Sequence, residues 1–420
     1  MTGKRTWDVL IVGAGAVGAA CAYYATAAGL TVAVVERGHV AGGTTGAGEG
    51  NLLVSDKRPG PELDLALLSL RLWQDLAAEL PDVLEYEPKG GLVVAPTPDG
   101  LRDLHRFAEG QQACGVQWEP VPPERLREAE PHLAEGLAGG VLYPQDAQVQ
   151  PALAAAWLLR CARRSGADLF LGTEVTGMLR GPDGSVRGVR TDREGDLAAG
   201  AVVNAAGTWG GRIAELAGVA LPVLPRRGFV LVTEPLPPLV RHKVYAADYV
   251  ADVSSGAADL QSSAVVESTA AGPVLVGASR ERVGFDRSPA PAVLRRLAAQ
   301  AIALFPMLAG VQVIRSYRGF RPYLPDHLPA IGPDPRAPGL YHACGHEGAG
   351  IGLAPATGLT LARLLTGRPT EVDASAFRPE RFPADGLPAD GLPIDGAPAD
   401  GLPADGSTPD RPTSLAPEVR

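Results

Sequence analysis

The arrangement that most constrains how this chain folds is Gly13-Ala14-Gly15-Ala16-Val17-Gly18, a GxGxxG run set between a strand-like segment and an alanine-rich helix. Asp8-Val9-Leu10-Ile11-Val12 is short and rich in branched residues, as a buried strand is. Ala16 to Ala28 has helical character with Gly29 as its stop, and Thr31 to Val35 is a second strand. In that order each glycine has a mechanical task. Gly13 permits the tight turn, Gly15 lets the backbone approach a pyrophosphate, and Gly18 allows close packing of helix on strand, while the helix start at Ala16 and Val17 favours the anion. Glu36 closes the second strand eighteen residues beyond Gly18, where a carboxylate can accept both hydroxyls of a ribose. This is a Rossmann-like βαβ unit that binds a dinucleotide. Glu36 speaks against NADP, whose extra phosphate it would repel. NAD and FAD share the motif and stay open on it alone.

A length of 420 residues favours two interleaved units over one small domain. Pro61 to Leu80 carries apolar residues at helical spacing, Gly90 to Val94 reads as a strand, and Arg102 to Gly110 and Pro122 to Glu130 read as short helices. Ala152 to Ser165 is a strong amphipathic helix, Pro182-Asp183-Gly184 marks a hairpin turn, and Ala201 to Gly207 is a buried strand running into a glycine turn. From Arg226 to Gly277 the pattern is strand-like and irregular, the mark of an antiparallel sheet, and helices follow at Pro291 to Phe305 and Leu353 to Leu365. After Phe382 a five-residue repeat begins with Pro383-Ala384-Asp385-Gly386-Leu387. Such a segment buries too little apolar surface to offset its ordering entropy, so residues 380–420 are expected to form a disordered, low-complexity tail.

The formal charge is −9, which gives no electrostatic reason to expect nucleic acid or an anionic membrane as partner. The local basic pair Arg226-Arg227 is expected to serve small anions. Cys21, Cys114, Cys161 and Cys344 lie far apart with no CxxC pair, so no metal or iron–sulfur framework is expected and a reducing, cytoplasmic setting fits. Lys4-Arg5 ahead of the first apolar run imitates a secretory signal, but Gly13, Gly15 and Gly18 interrupt that run. No apolar stretch reaches the roughly 20 residues that span a bilayer.

Several further stretches resemble the D-amino-acid oxidase family of FAD-dependent amine oxidoreductases, which includes glycine oxidase and the sarcosine oxidases. After Arg37 the run Gly42-Gly43-Thr44-Thr45-Gly46-Ala47-Gly48-Glu49-Gly50-Asn51 is similar to that family's second glycine-rich stretch, along the flavin. Ala205-Ala206-Gly207-Thr208-Trp209 resembles its NAAG-W segment, and Glu174-Val175 resembles the strand whose backbone meets the adenine. Gly319-Phe320-Arg321-Pro322 resembles its GxRP block, and Gly345-His346-Glu347-Gly348-Ala349-Gly350-Ile351 its C-terminal flavin loop. The likeness implies a two-domain FAD-binding fold of glutathione-reductase type with a mixed or antiparallel substrate sheet. Residues 1–90, 145–225 and 313–375 would form the FAD domain, and 91–144 and 226–312 the substrate domain. The run Gly48 to Lys57 together with Gly345 to Gly348 resembles catalytic subunits of heteromeric dehydrogenases of D-hydroxyproline, proline or opines, which implies partner subunits. Leu324-Pro325-Asp326-His327 contains no cysteine, so the FAD is expected to be non-covalent.

What the resemblance implies is oxidation of a carbon–nitrogen bond in a small amino-acid-like substrate, with hydride transfer to flavin N5 and an imine product that hydrolyses. The rivals are a stand-alone glycine or D-amino-acid oxidase that makes hydrogen peroxide, a non-catalytic flavin-binding electron-transfer subunit, and an NAD-dependent dehydrogenase. Arg321 is the expected clamp for the substrate carboxylate, since guanidinium binds carboxylate in a two-pronged geometry; the alternative is a structural pair with Asp326. Arg318 is its neighbouring rival. Tyr249 is expected either at the carboxylate or as half-buried packing. His346 and Glu347 are set for proton handling or amine recognition, or else for packing over the flavin and pairing with an arginine. Trp209 lines the cofactor or belongs to the core, and Cys344 is expected to be a buried filler.

Overall fold

A computed structural model describes residues 5–79, 81–247 and 259–383. The first of two eight-stranded sheets runs, in spatial order, Ala330–Pro333, Leu340–Cys344, Asp196–Asn204, Thr6–Val12, Val32–Glu36 and Asp168–Leu171. The last five of these are mutually parallel, and Ala330–Pro333 joins antiparallel to its neighbour. A hairpin of Val175–Arg180 and Val186–Thr191 attaches to Asp196–Asn204. The central strands are buried on both faces: Val9 and Ile11 enter one core, and Leu10 and Val12 the other. This explains why their sequence is a continuous apolar run and not an alternation.

The second sheet orders Val313–Tyr323, Leu224–Pro235, Pro273–Arg280, Gln261–Ser268, Lys243–Ala246, Gly91–Ala95, Gly139–Tyr143 and Glu119–Val121. Its pairs are antiparallel except that Lys243–Ala246 lies parallel to Gly91–Ala95. One face, with Leu92, Phe229, Val244 and Val276, packs on the helix Pro291–Leu304 through Leu297. The other face, with Val93, Tyr143, Tyr245 and Val265, joins the core of the first unit.

Two expected boundaries move. The stretch from 313 does not begin in the first sheet: Val313–Tyr323 pairs along Leu224–Pro235 in the second, and the chain returns to the first sheet at Ala330. Its exposed start, Val313-Ile314-Arg315-Ser316, hides the strand, because an edge strand has one paired side and little burial to enforce alternation. Nor does the tail begin at 380, since Phe377 and Phe382 are buried and Arg336 donates to the Phe382 carbonyl at 3.2 Å. Residues 384–420, which carry the repeat, lie outside the described residues, as does Tyr249.

The first helix, Ala16–Ala27, packs on the helix Gly350–Leu365. Their approach is set by Gly358, where a Cβ would lie 2.6 Å from the Ala20 backbone carbon and oxygen. Backbone cannot rotate aside as a side chain can. Gly358→Val is therefore expected to cost about 1–3 kcal/mol by overpacking and to lower both the thermal midpoint and the flavin retained on purification. Circular dichroism melts and the flavin-to-protein absorbance ratio measure the two effects.

Candidate active site

The glycine turn is built as its motif requires. Gly13 has φ +111°, and a Cβ there would lie 2.5 Å from the Ala205 carbonyl oxygen, so only glycine lets the two loops meet. The helix starting at Ala16 has no side-chain cap from its N-cap residue Gly15, and the Ala16 amide donates to Thr45 Oγ1 at 3.0 Å. Glu36 accepts from the Ala14 amide (2.9 Å) and the Gly38 amide (2.8 Å), which anchors its carboxylate beside the turn and leaves lone pairs for ribose hydroxyls. The Thr173 amide donates to the Glu36 carbonyl at 2.9 Å, which brings Val175 to the same edge. Arg37 lies 3.8 Å above the ring of Trp209, which stacks on Phe285.

The next stretch ties the two sheets together. Thr44–Ala47 forms a short 3-10 turn after Gly43, and the Thr44 hydroxyl donates to the Phe320 carbonyl at 2.6 Å. Thr208, between Gly207 and Trp209, donates to that same carbonyl at 2.8 Å, and Ala206 is held by Asn204. Gly50 has φ +98° with no room for a Cβ against the Val149 carbonyl, and Asn51 pairs with Gln148 in a two-stranded ladder.

A cavity lies between these parts, lined by Asn51, Leu53, Asp56 and Lys57 from the loop, Arg280 from the second sheet, and His346 to Ala349 with Gly352 and Leu353 from the flavin-loop segment. Gly348, Gly350 and Ile351 lead into the Gly350–Leu365 helix, whose N-cap residue Ala349 makes no side-chain cap. Its first-turn N–H groups are thus available to negative charge. Arg321 lies beside this wall. Its Nη1 donates to the Ser279 carbonyl at 2.8 Å, and glycines flank it: a Cβ on Gly228 would lie 2.1 Å from Nη1, and one on Gly348 3.5 Å from Nε. Asp326 pairs with Arg381 at 2.6 Å. Arg318 is exposed.

His346 is buried, with Nε2 3.0 Å from the Thr357 hydroxyl. Burial pushes its pKa down to about 3, so the ring is neutral at physiological pH and a weak base. Glu347, at φ +47°, forms an ion pair with Arg226 and a hydrogen bond, at 3.0 Å, with His327 Nδ1. Burial works to raise its pKa, but the His327 hydrogen bond and the Arg226 and Arg280 charges outweigh it and hold the carboxyl below its ordinary value. Cys344 is buried and its thiol is pushed up to about 12.

The expectation that Arg226-Arg227 serves small anions is corrected. Arg226 is consumed by Glu347 and Gln261, and Arg227 by Glu281 and Asp286, because both side chains are buried and a buried guanidinium demands protein partners. Sequence reasoning also missed Arg280, Asp56 and Lys57 as cavity residues. Lys57 Nζ pairs with Asp56 at 2.6 Å. The adjacent Asp-Lys in an otherwise apolar run was the available signal.

A helix start on a glycine turn, a carboxylate anchored beside it and a charged cavity between two sheets define a dinucleotide-binding oxidoreductase. The chain belongs to the FAD-dependent oxidoreductase family (DAO), which residues 8–364 match. It is 31% identical over 423 residues to hydrogen cyanide synthase subunit HcnC of Pseudomonas aeruginosa, covering 90% of this chain and 97% of that protein. Glycine oxidase of Geobacillus kaustophilus is 31% identical over 382 residues, covering 88% and 96%. The crystal structure of that organism's glycine oxidase superposes with a TM-score of 0.81 at 30% identity, over 90% of this chain and all of that one. The residues present fit FAD: neither helix start is capped by its own N-cap residue, and among the described residues Asn51 Oδ1 and Glu49 Oε1 are buried with no hydrogen-bond partner.

His346 supplies a test of the site's burial. Unfolded, the ring titrates near its ordinary value of 6.5, and folded near about 3. The stability from keeping it neutral is therefore complete above the unfolded value and is lost as pH falls from there toward the folded value. His346→Gln is expected to take up about one proton fewer on unfolding between about pH 4 and 6, read from urea melts across that range. Identical slopes would mean that the ring is solvated.

Proposed function

We propose that this enzyme oxidises the carbon–nitrogen bond of a small amino acid, imino acid or opine, with FAD held non-covalently and with partner subunits in a heteromeric dehydrogenase. The observation that carries the reading is Arg321, pinned by the Ser279 carbonyl and flanked by Gly228 and Gly348 at the edge of a charged cavity. Gly13 to Gly18, Glu36, Thr45 and the helix start at Gly350 would hold the cofactor. FAD, when bound, supplies the acceptor for the electron pair of the carbon–hydrogen bond beside nitrogen.

The chain's own residues do the rest. Arg321 grips the substrate carboxylate in two-pronged fashion and fixes which carbon faces the cofactor. The Ser279 carbonyl orients the guanidinium. The backbone N–H groups at the Gly350 helix start stabilise negative charge that develops next to them. His346, neutral and hydrogen-bonded to Thr357, closes the cavity floor against water. The relative named as a subunit of hydrogen cyanide synthase supports partner subunits for this chain. The likeness to glycine oxidase supports a second reading, a stand-alone oxidase that uses oxygen. Among the described residues no helix is long and apolar enough to cross a membrane. The free cysteines are in keeping with a cytoplasmic enzyme.

Anaerobic mixing of the purified yellow protein with glycine, sarcosine, D-amino acids, prolines and opines is expected to bleach the flavin with at least one of them. Peroxide on admission of air selects the stand-alone oxidase, and turnover with artificial dyes alone selects the dehydrogenase. A flavin that no amine reduces would sink the proposal. Arg321→Ala is expected to weaken binding of that substrate by about 2–5 kcal/mol, roughly 30-fold or more in KM, with FAD content retained. An unchanged KM would remove Arg321 from the clamp.

A further inference from the structure

The cavity wall from Leu53 to Lys57 is buried throughout yet belongs to no helix or strand. Within it the backbone bond runs from the Lys57 amide to the Val54 carbonyl at 3.1 Å. Buried backbone donors without partners are costly, so something outside the segment has to satisfy them. Asp146 does so. It lies in the turn between Gly139–Tyr143 and Ala147–Gln148, and its Oδ1 accepts from the Val54 amide (2.8 Å) and the Ser55 amide (3.3 Å). Its Oδ2 accepts from the Ser55 hydroxyl, which in turn accepts from Tyr245 at 2.5 Å. Gln111 holds the far side through Nε2, donating to the carbonyls of Val54 (2.9 Å) and Lys57 (2.6 Å), and Tyr143 steadies Gln111 at 3.0 Å.

Room for the carboxylate is kept by Gly91, where a Cβ would lie 2.3 Å from Asp146 Oδ2. Asp146 itself does not line the cavity. The side chains at the two ends of the stretch it holds do: Leu53 at one end, and Asp56 and Lys57 at the other, facing His346, Glu347 and Arg280. We propose that Asp146, acting through the Ser55 loop, is a positioning residue that sets the placement of the Leu53–Asp56–Lys57 wall and so the fit of substrate. This rests on the reading of the cavity as the substrate's place. Burial pushes the Asp146 carboxyl up to about 6, opposed by its bonds from Ser55 and Val54, with Asp56 as the neighbouring charge and Tyr143 and Tyr245 alongside. Measurements at about pH 8 keep it ionised.

The test uses the FAD-loaded full chain with Asp146→Asn, which turns a donor toward the Ser55 hydroxyl, and Ser55→Ala, which leaves both backbone bonds to Asp146 in place. For the amine that reduces the wild-type flavin fastest, both variants are expected to raise KM about tenfold while kcat changes by less than about threefold. FAD per chain should match the wild type, and amide exchange in residues 52–58 should speed up in the Asn variant. Should Asp146→Asn fail to fold, Ser55→Ala decides the matter through the same KM and kcat readout. Unchanged KM in the folded variants would overturn the proposal, as would equal loss of FAD and activity. Titration with benzoate, a carboxylate that needs no turnover, followed by flavin absorbance, keeps this test separate from that of the oxidation itself. A Kd about tenfold weaker in the variants supports the positioning role even where no amine in the panel is oxidised, and an unaltered Kd overturns it.

Discussion

One carbonyl oxygen, that of Phe320, joins the two halves of this enzyme at the point that matters. The Thr44 hydroxyl from the glycine-rich loop and the Thr208 hydroxyl from the turn after the central strand both donate to it. The next residue along that strand is Arg321. A carbonyl with two lone pairs, each used by a different loop of the nucleotide-binding unit, fixes the strand's position and its rotation about its own axis. The arginine therefore inherits its placement from the cofactor side of the molecule, although it grows from the opposite sheet. Gly319 lets the approach happen, since a Cβ there would lie 2.8 Å from Ala47 Cβ.

The electrostatics follow a consistent rule. Two buried cations in and behind the cavity wall are balanced inside the protein: Lys57 by Asp56, and Arg226 by Glu347, which His327 also contacts. Burying a charge costs more than an isolated contact repays, so such pairs act by holding geometry more than by adding stability. Glu347 shows the arrangement at its densest. Its left-handed backbone turns the chain from the strand Leu340–Cys344 toward the helix, and its carboxylate gathers Arg226 and His327 from other elements at that bend.

Much of the fold was legible because its signals are local. A buried parallel strand, a glycine turn and a helix start are each written within a few residues, and Gly13 to Gly18 with Glu36 needed nothing from afar. The antiparallel character of the segment after Arg226 was legible for the same reason. What stayed hidden was relational. Val313–Tyr323 is a strand because Leu224–Pro235 offers it a partner, and its own exposed start carries no alternation to betray it. Arg226 looked like an anion site because nothing in its neighbourhood along the chain announces Glu347, 121 residues away. Arg280 in the cavity wall and Asp146 behind it were invisible for that reason: their roles depend on which distant loop they meet.

The close crossing of Ala16–Ala27 on Gly350–Leu365 has a geometric corollary. Neither helix takes a side-chain cap from its own N-cap residue, and the two rods meet at Ala20, in the second turn of the first, and at Gly358, midway along the second. The pair behaves like a rigid calliper whose jaws are the two helix starts. The span between the two helix starts is then set by a contact that leaves no slack for a methyl group.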